Sequence, residues 1–227
     1  MTPAHDPARW NALDQYFTRT LHLDEGVLSA ALARARAAGL PAHEVAPNQG
    51  RMLALFARMC GARRILEVGT LGGYSTLCMA RALPVGGRLV TLEADPRHAM
   101  VARETFEASG LNDTIRLIEG DARETLAALA RVGEAPFDMV FLDADKADSA
   151  VYLERLMPLV RPGSVIVADN IARAGRLADP AHADDPDVRG VHAFFSAAAR
   201  DLRLEITAVQ TVGEKGWDGF ALAYVSA

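Results

Sequence analysis

The residues best suited to chemistry stand at the ends of two apolar segments. Asp143 closes FDMVFLD, and Asp169 with Asn170 closes SVIVADN. If the segments are neighbouring parallel strands, about 4.8 Å apart, these residues meet at one rim of a sheet. Two carboxylates and an amide oxygen are hard ligands that suit Mg²⁺, Mn²⁺ or Ca²⁺ rather than zinc. Any one acid alone is more often a loop cap, but their coincidence predicts a divalent-cation site, with Mg²⁺ as the expected ion.

Lys146 follows three residues after Asp143 and completes the motif DADK. A cation bound beside it would favour loss of the ammonium proton by charge repulsion. Signatures of other chemistries are missing from the sequence, which contains no HExxH, no GxSxG and no P-loop. Zinc hydrolase, serine hydrolase and nucleoside-triphosphatase interpretations therefore lack their motifs.

A glycine-rich turn follows an earlier apolar segment and reads EVGTLGGYS, from Glu67 to Ser75. Glycines let the backbone turn tightly and approach a ligand, and the helix that follows offers free N–H groups. The spacing is not GxGxxG, and Glu67 would repel a pyrophosphate, so a ligand with an amino group or a sulfonium fits better. Taken alone, such a turn is more often a simple strand–helix connection.

Acidic residues also follow the second and third apolar segments. Glu93 lies roughly 20 residues beyond the glycine turn, the separation at which an acid bridges ribose hydroxyls. Asp121 opens a helix, either as its N-cap or at a position that faces an adenine ring. A strand-end acid alone is more often solvated, but Glu93 together with the glycine turn favours a nucleoside site.

Short apolar segments that alternate with helical stretches must position these residues. RRILEVG, RLVTLE, TIRLIEG, FDMVFLD and SVIVAD predict five buried strands, and the stretches between them have the length of crossover helices. This alternation predicts a parallel sheet covered on both faces. LRLEITAVQTV and WDGFALAYVS, separated by GEK, predict a C-terminal antiparallel hairpin. The expected fold is doubly wound α/β with a mostly parallel, seven-stranded, Rossmann-like sheet.

Three helices are predicted before the sheet, over about 7–20, 24–39 and 48–60, the second with Asp24 as its N-cap. Helical spacing in the third predicts one face packed on the core, formed by Met52, Leu55, Phe56 and Met59. We expect one domain over residues 1–227, with a helical cover over 1–61 and the core over 62–227. The helices are expected to cover the mouth of the site or a dimer interface.

Composition limits the partners. The 227 residues carry 24 basic and 29 acidic side chains, a net charge of −5, and 50% are hydrophobic, which excludes disorder as the main state. There is no Lys/Arg stripe for nucleic acid, no apolar run of about 18 residues for a membrane, and no basic-then-apolar start typical of a signal peptide. We expect a cytoplasmic protein that binds a small molecule, and neither nucleic acid nor a membrane.

These motifs resemble the class I S-adenosylmethionine-dependent methyltransferases, and among them the bacterial branch of the cation-dependent O-methyltransferases related to caffeoyl-coenzyme A and catechol O-methyltransferases. The resemblance covers most of the chain and is carried by ILEVGTLGGYST, LVTLEAD, FDMVFLDADK, VIVADN and KGWDGFALA. The N-terminal APNQGRMLALFARMCGARR also resembles the helix before the family's first strand. LDADK followed by ADN is specific, whereas the EVG turn marks only the wider superfamily.

The resemblance implies roles for individual positions. Asp143, Asp169 and Asn170 match the family's metal ligands, and Lys146 matches the lysine proposed to take the proton from the attacking hydroxyl, with Asp143 beside it in the catalytic centre. It also implies a set of contacts to S-adenosylmethionine, namely Val45, Glu67, Gly69, Thr70, Gly73, Ser75, Glu93, Ala122 and Asp143. By analogy with the family we also expect a homodimer.

Some residues depart from the family's pattern. Arg173-Ala174 stands where the plant coenzyme A-ester enzymes have Trp-Asn, and the loop that follows is particular to this chain, which argues against a phenylpropanoyl-coenzyme A substrate. Trp217 replaces a smaller residue and would either stack on an aromatic substrate or cover the hairpin. The segment 171–189 is expected to form a mobile lid.

The resulting hypothesis is transfer of a methyl group from S-adenosylmethionine to one hydroxyl of a small, catechol-like acceptor chelated by the cation. Two alternatives stay open. A Rossmann-type NAD-dependent oxidoreductase shares the glycine turn and the second-strand acid, although it is disfavoured by Glu67 and by the spacing of the glycines. A non-catalytic cofactor-binding homologue is disfavoured by the intact DADK and DN motifs.

Overall fold

The computed structural model describes residues 6–226, so residues 1–5 and 227, which belong to the predicted cover, chain start and core, lie outside it. Seven strands form one sheet in the order β3-β2-β1-β4-β5-β7-β6. The first five strands are parallel, and β7 pairs antiparallel with both β5 and β6. The strands are β1 Arg64–Val68, β2 Arg88–Glu93, β3 Ile115–Glu119, β4 Phe137–Leu142, β5 Val160–Asp169, β6 Leu204–Gly213 and β7 Gly216–Val225. The predicted doubly wound fold with a C-terminal hairpin is confirmed.

Eight α-helices accompany the sheet within the described residues. They are α1 Pro7–Thr20, α2 Val27–Ala37, α3 Pro47–Met59, α4 Tyr74–Ala80, α5 Pro96–Ala108, α6 Ala122–Arg131, α7 Ser149–Leu156 and α8 Pro186–Ala198. Short 3₁₀ turns follow α7 at Met157–Leu159 and precede α8 at Arg173–Ala178 and Pro180–His182. None of the helices described over 6–226 combines the length and apolar character of a bilayer-spanning segment.

The hydrophobic core lies on both faces of the sheet. The strands carry few polar residues, and successive apolar side chains point to opposite faces. Leu66 and Val140 belong to one buried cluster, whereas Ile65 and Met139, one residue earlier on the same strands, belong to the other. Successive strand residues point to opposite faces, so an uninterrupted apolar strand needs helices on both sides. Each apolar run in the sequence therefore contributes alternate residues to two hydrophobic clusters, one on each face of the sheet.

The strand order reverses between β1 and β4, and the segments that leave these strands touch. The N–H of Asp143 donates to the carbonyl of Val68 at 2.8 Å, and the N–H of Gly69 donates to Leu92 at 3.0 Å. Gly69 has φ of +97°, and a Cβ there would collide with the carbonyl oxygen of Asp143. Only glycine satisfies both conditions, so the residue type at 69 sets how closely the two strand ends approach.

Several predicted details are wrong. β3 is a partly exposed edge strand rather than a buried one, because a neighbour pairs with it on one side only. The second helix begins at Val27 with Gly26 as its N-cap, so Asp24 is not the cap. Helix α8 was not predicted, although Asp185 caps it and Pro186 opens it. Its first turn, rich in charged residues, looked like the continuation of a loop.

The apolar face predicted for α3 is wrong in part: Met52 and Phe56 pack against the core on one face of the sheet, whereas Leu55 and Met59 do not. Leu55 is 47% exposed and Met59 is 79% exposed, and the buried face consists of Gly50, Leu53, Ala54 and Ala57. Small residues are required there because α3 packs closely on α4: a Cβ on Gly50 would come within 2.8 Å of Cys78 Sγ.

Exposed apolar side chains also lie on α1, among them Leu13, Tyr16 and Phe17. The homodimer stays a prediction.

Candidate active site

The glycine turn between β1 and α4 is built from left-handed backbone. Gly69, Leu71 and Gly73 have φ of +97°, +49° and +86°. Gly73 is the N-cap of α4, and a Cβ there would lie 2.5 Å from Phe106 Cε1. These conformations fold the chain sharply over the carboxyl end of the sheet, which is where doubly wound folds bind ligands.

Glu93 fastens this turn to the end of β2. Its Oε2 accepts the N–H groups of Thr70 at 3.1 Å and Leu71 at 2.8 Å, and its Oε1 accepts the N–H of Asp95 at 3.0 Å. A carboxylate has about four lone-pair positions, so one further donor, such as a hydroxyl, can still bind. The predicted ribose contact at Glu93 is thus compatible with a second task, which is to hold the turn.

Glu67 lies beneath the turn and is completely buried. Its carboxylate accepts hydroxyl hydrogen bonds from Ser75 at 2.6 Å, from Thr91 at 2.7 Å and from Thr76. Burial raises the pKa of Glu67 to about 7, while these three hydroxyls oppose the rise. In this structure Glu67 and Ser75 bind one another, so Glu67 supports the predicted cofactor loop from below. Thr70 joins the network because its Oγ1 lies 2.6 Å from Thr91 Oγ1.

Thr76 and Thr91 were not among the predicted site residues. The available signal was Thr91 itself, a polar residue inside the apolar strand RLVTLE. A polar side chain that points into a core must find a partner, because an unpaired buried hydroxyl costs about 1–3 kcal/mol.

The ends of β4 and β5 bring the predicted metal residues together. Leu142 pairs with Ala168 across the two strands, so Asp143 and Asp169 emerge side by side. Lys146 Nζ lies 3.1 Å from Asp143 Oδ1, and the lysine is only 6% exposed. Burial, followed by the negative charge of Asp143, raises the pKa of Asp169, and Lys146 partly opposes this. A further positive charge at the rim would therefore favour the state in which both carboxyl groups are ionised.

Asn170 continues directly from this rim in a left-handed conformation, with φ of +56°. Its N–H donates to Asp169 Oδ1 at 2.9 Å, and the next residue, Ile171, donates to the carbonyl of Gly219 on β7. Asparagine tolerates this region of backbone space better than most residues. The conformation turns the chain away from the sheet immediately after the second predicted ligand.

The oxygen atoms of Asp143, Asp169 and Asn170 are of the kind that bind a hard divalent cation, although they do not form a complete protein cage. Within the described residues no group of three or more His, Cys, Asp or Glu side chains could hold a metal ion. A cation at this rim would therefore rely on Asp143 and Asp169, with Asn170 as the adjacent amide. Mg²⁺ is usually bound by one or two carboxylates together with water or substrate oxygens, and it does not need a complete protein cage.

Gln49, near the start of α3, also reaches this rim and was not predicted. Its Nε2 donates to Asp169 Oδ2 at 2.6 Å, across 120 residues of sequence. The neighbouring Asn48 donates to Asp14 on α1 at 2.9 Å. The N-terminal helices are therefore connected by hydrogen bonds to the predicted metal residues.

Two other predicted cofactor positions lie away from these hydrogen bonds. Val45, just before α3, is buried in the apolar cluster on one face of the sheet. Ala122 is the first residue of α6, and Asp121 caps that helix by accepting the N–H of Arg123 at 2.8 Å. Of the two roles considered for Asp121, the structure shows the N-cap. Contacts of Val45 and Ala122 with a cofactor stay predictions.

The segment after Asn170 is fastened at both ends. Asp218 Oδ1 accepts the N–H groups of Ala172 at 2.9 Å and Arg173 at 3.0 Å. Arg173 pairs with Asp187, and Arg176 pairs with Asp185 at 2.7 Å. The segment expected to be a mobile lid therefore contains two 3₁₀ turns, two arginine–carboxylate ion pairs, a contact of His182 with Asp179 at 3.0 Å and the first turn of α8. Its mobility stays a prediction.

Trp217 packs on this segment. A Cβ on Gly175 would lie 2.7 Å from Trp217 Cη2, and the indole Nε1 donates to Gln210 Oε1 at 3.0 Å on the paired strand. The ring therefore covers both the hairpin and the turn at Gly175. Of the two roles considered for Trp217, the contacts favour covering the hairpin.

Comparison with protein families gives a match over most of the chain. The profile of a family described as O-methyltransferase matches residues 24–223. A protein of Niastella koreensis named catechol O-methyltransferase is 43% identical over 216 residues, which cover 95% of this chain and 97% of that protein. A Mycobacterium tuberculosis protein of the same name is 44% identical over 213 residues, 94% of each chain.

Solved structures with the same architecture include two that contain a nucleoside ligand. An O-methyltransferase from Bacillus cereus in complex with SAH is 44% identical, with a TM-score of 0.94, over 97% of this chain and all of that one. The O-methyltransferase TomG from Streptomyces achromogenes, involved in tomaymycin synthesis and bound to SAM, is 43% identical with a TM-score of 0.92. The structural match covers 98% of this chain and all of the TomG chain.

Proposed function

The chain belongs to the O-methyltransferase family and is an S-adenosylmethionine-dependent enzyme, and from this premise we propose that it methylates one hydroxyl of a catechol-like acceptor held by a divalent cation. Membership of this family decides against the NAD-dependent oxidoreductase. The observation that carries the proposal is the rim at the ends of β4 and β5, where Lys146 lies 3.1 Å from Asp143 and Asp169 stands on the adjacent strand.

The two bound groups would supply different parts of the chemistry. S-adenosylmethionine would supply an electrophilic methyl group on a sulfonium, and a divalent cation would lower the pKa of an acceptor hydroxyl. Asp143 and Asp169 would hold the cation, with Asn170 beside them. The turn at Gly69–Gly73, tied to β2 by Glu93 and supported by Glu67, would hold the nucleoside end of the methyl donor.

Lys146 would accept the proton of the attacking hydroxyl at its Nζ as the neutral amine, after its ammonium has given up one proton beside the cation. Asp143 orients that nitrogen, because its Oδ1 lies within hydrogen-bond distance of Nζ. Methyl transfer then forms the O–C bond and breaks the S–C bond, leaving S-adenosylhomocysteine and the methyl ether. The backbone contact between Gly69 and Asp143 keeps the donor and acceptor halves of the site adjacent, which favours a near-attack arrangement.

The acceptor class rests on the rim and on the relatives. Vicinal hydroxyls can both bind one cation, and two relatives at 43% and 44% identity are named catechol O-methyltransferase. The region beside the rim differs from the plant coenzyme A-ester pattern at Arg173, which is paired with Asp187. We therefore propose a small catechol-like acceptor and no coenzyme A ester.

A substrate panel tests this proposal. Catechols, the corresponding single phenols and a coenzyme A ester would be incubated with S-adenosylmethionine and Mg²⁺, with and without EDTA, and methyl ethers measured by mass spectrometry. We expect turnover only of vicinal diols and only without EDTA. Undiminished turnover in EDTA would contradict the cation's role, and equal turnover of single phenols would contradict the acceptor class.

Loss of the Glu93 carboxylate should weaken cofactor binding. In Glu93→Ala, the N–H groups of Thr70 and Leu71 lose their acceptor, and hydrogen bonds to a charged group are worth about 1.5–3 kcal/mol. We expect the Kd of S-adenosylhomocysteine to rise about tenfold or more, measured by isothermal titration calorimetry. Glu119→Ala, at the equivalent end of the edge strand β3, is the control and should bind normally. Wild-type affinity in Glu93→Ala would show that the carboxylate holds neither the turn nor the cofactor.

A further inference from the structure

The N-terminal helix α3 sends one side chain to the rim at the ends of β4 and β5. Gln49 Nε2 donates to Asp169 Oδ2 at 2.6 Å, while the backbone N–H of Asn170 donates to the other oxygen, Oδ1, at 2.9 Å. Asp169 is 5% exposed, so these two donors replace most of the water that would otherwise solvate it. A short bond from a neutral amide to a buried carboxylate is a strong, directional contact.

We propose that Gln49 is a positioning residue, which holds the carboxylate of Asp169 in the orientation needed to bind the divalent cation. The inference rests on the proposed function, since it presumes a cation at this rim. Ionised carboxylates offer about four lone-pair positions, and one donor on each oxygen leaves a position on each for a metal. Two donors from different elements fix the plane of the carboxylate, whereas one backbone donor would leave it free to rotate.

The position of Gln49 is itself held by contacts of its neighbour, Asn48. Asn48 Nδ2 donates to Asp14 Oδ1 at 2.9 Å, and Asp14 Oδ2 accepts the N–H of Glu214, in the β6–β7 turn, at 2.8 Å. Asp14 is 7% exposed. The start of α3 is therefore tied through Asp14 to α1 and to the hairpin, while Gln49, the next residue, is tied to the rim.

A purely structural role for Gln49 would have a different signature from the positioning role. A contact that only fastens α3 to the sheet would lower thermal stability when lost and leave the affinity for a cation unchanged. Removal of a group that orients a metal-binding carboxylate typically reduces metal affinity by about 10–100-fold. The affinity for the metal, measured apart from turnover, separates the two roles.

The test uses Mn²⁺ alone as the probe, titrated into the full chain and followed by electron paramagnetic resonance of the free ion. Gln49→Leu keeps much of the side-chain volume and removes the donor, and Gln15→Ala, an exposed glutamine on α1, is the control. We expect the Kd for Mn²⁺ to rise about 10–100-fold in Gln49→Leu and to stay at the wild-type value in Gln15→Ala. S-adenosylhomocysteine affinity should change much less than Mn²⁺ affinity.

Asn48→Ala provides a second measurement should Gln49→Leu not fold, because it removes the anchor to Asp14 and leaves Gln49 in place. It should weaken Mn²⁺ binding less than Gln49→Leu but measurably. Mn²⁺ affinity at or above the wild-type value in both variants would overturn the role of Gln49 while leaving the cation proposal intact. Failure of the wild type to bind Mn²⁺, or normal binding by Asp169→Ala, would overturn the cation proposal and this inference with it.

Discussion

Asp169→Ala is expected to reduce methyl transfer by about three orders of magnitude, because a bound cation contributes several kcal/mol of transition-state stabilisation. Asp169 is buried beside Asp143 and accepts hydrogen bonds from Gln49 and Asn170. Alanine removes one of the two carboxylates proposed to hold the cation, and the glycine turn remains as it was. The affinity for S-adenosylhomocysteine should therefore stay within about twofold of the wild type, which separates loss of chemistry from loss of folding.

Initial rates with a catechol at saturating Mg²⁺, together with calorimetry of S-adenosylhomocysteine binding, measure this effect. Asp184→Ala, an exposed acid of the 171–189 segment, is the matched control and should retain its rate. If Asp169→Ala turned over at a near-normal rate in the presence of a chelator, the metal role of this carboxylate would be wrong.

Lys146→Met should lower kcat by about 10²–10⁴-fold with little change in the affinity for S-adenosylhomocysteine, the range by which a positioned proton acceptor speeds reactions. Methionine fills a similar volume in the buried space but cannot accept a proton. Lys146→Arg should not restore the rate, because a guanidinium keeps its proton at any working pH. If Lys146 accepts the proton, kcat should fall equally in both variants. If Lys146 only compensates the negative charge at the rim, Lys146→Arg should restore kcat.

The chain offers a close control for this experiment. It contains two lysines in all, Lys146 and Lys215, and the second lies in the β6–β7 turn, 3.0 Å from Glu44. Single-turnover rates of Lys215→Met should match the wild type, and those of Lys146→Met should not. Full activity in Lys146→Met would exclude proton transfer to this nitrogen.

The strand ends and their acids were predictable because parallel strands with apolar faces leave few places for polar residues. Asp143, Asp169 and Lys146 stand directly after apolar runs, so sequence position alone brings them to one rim. Gln49 was not predictable in this way. It comes from a helix that lies far from the rim in sequence, and nothing local indicates that its amide points toward Asp169.

Packing between elements explains the error on α3. Spacing along α3 predicted that Met52, Leu55, Phe56 and Met59 face the core. Met52 and Phe56 do pack on it, but the close approach to α4 buries the side of the helix that carries Gly50, Ala54 and Ala57 and leaves Leu55 and Met59 exposed. Glu67, predicted to contact the cofactor, also accepts hydrogen bonds from three hydroxyls on α4 and β2, and its contact with the cofactor stays a prediction. Periodicity predicts which side chains share a face, whereas the partner element decides which face is used.

The backbone contact between Gly69 and Asp143 bears on how acceptor range could be diversified. Because the spacing between the two halves of the site is set by main-chain atoms, it does not depend on the side chains of the 171–189 segment or of the β6–β7 turn. Libraries that vary those two segments would sample new acceptor shapes on an unaltered donor geometry. Laboratory evolution of regioselectivity should accordingly succeed in the 171–189 segment, and any substitution at Gly69 should be eliminated in every round.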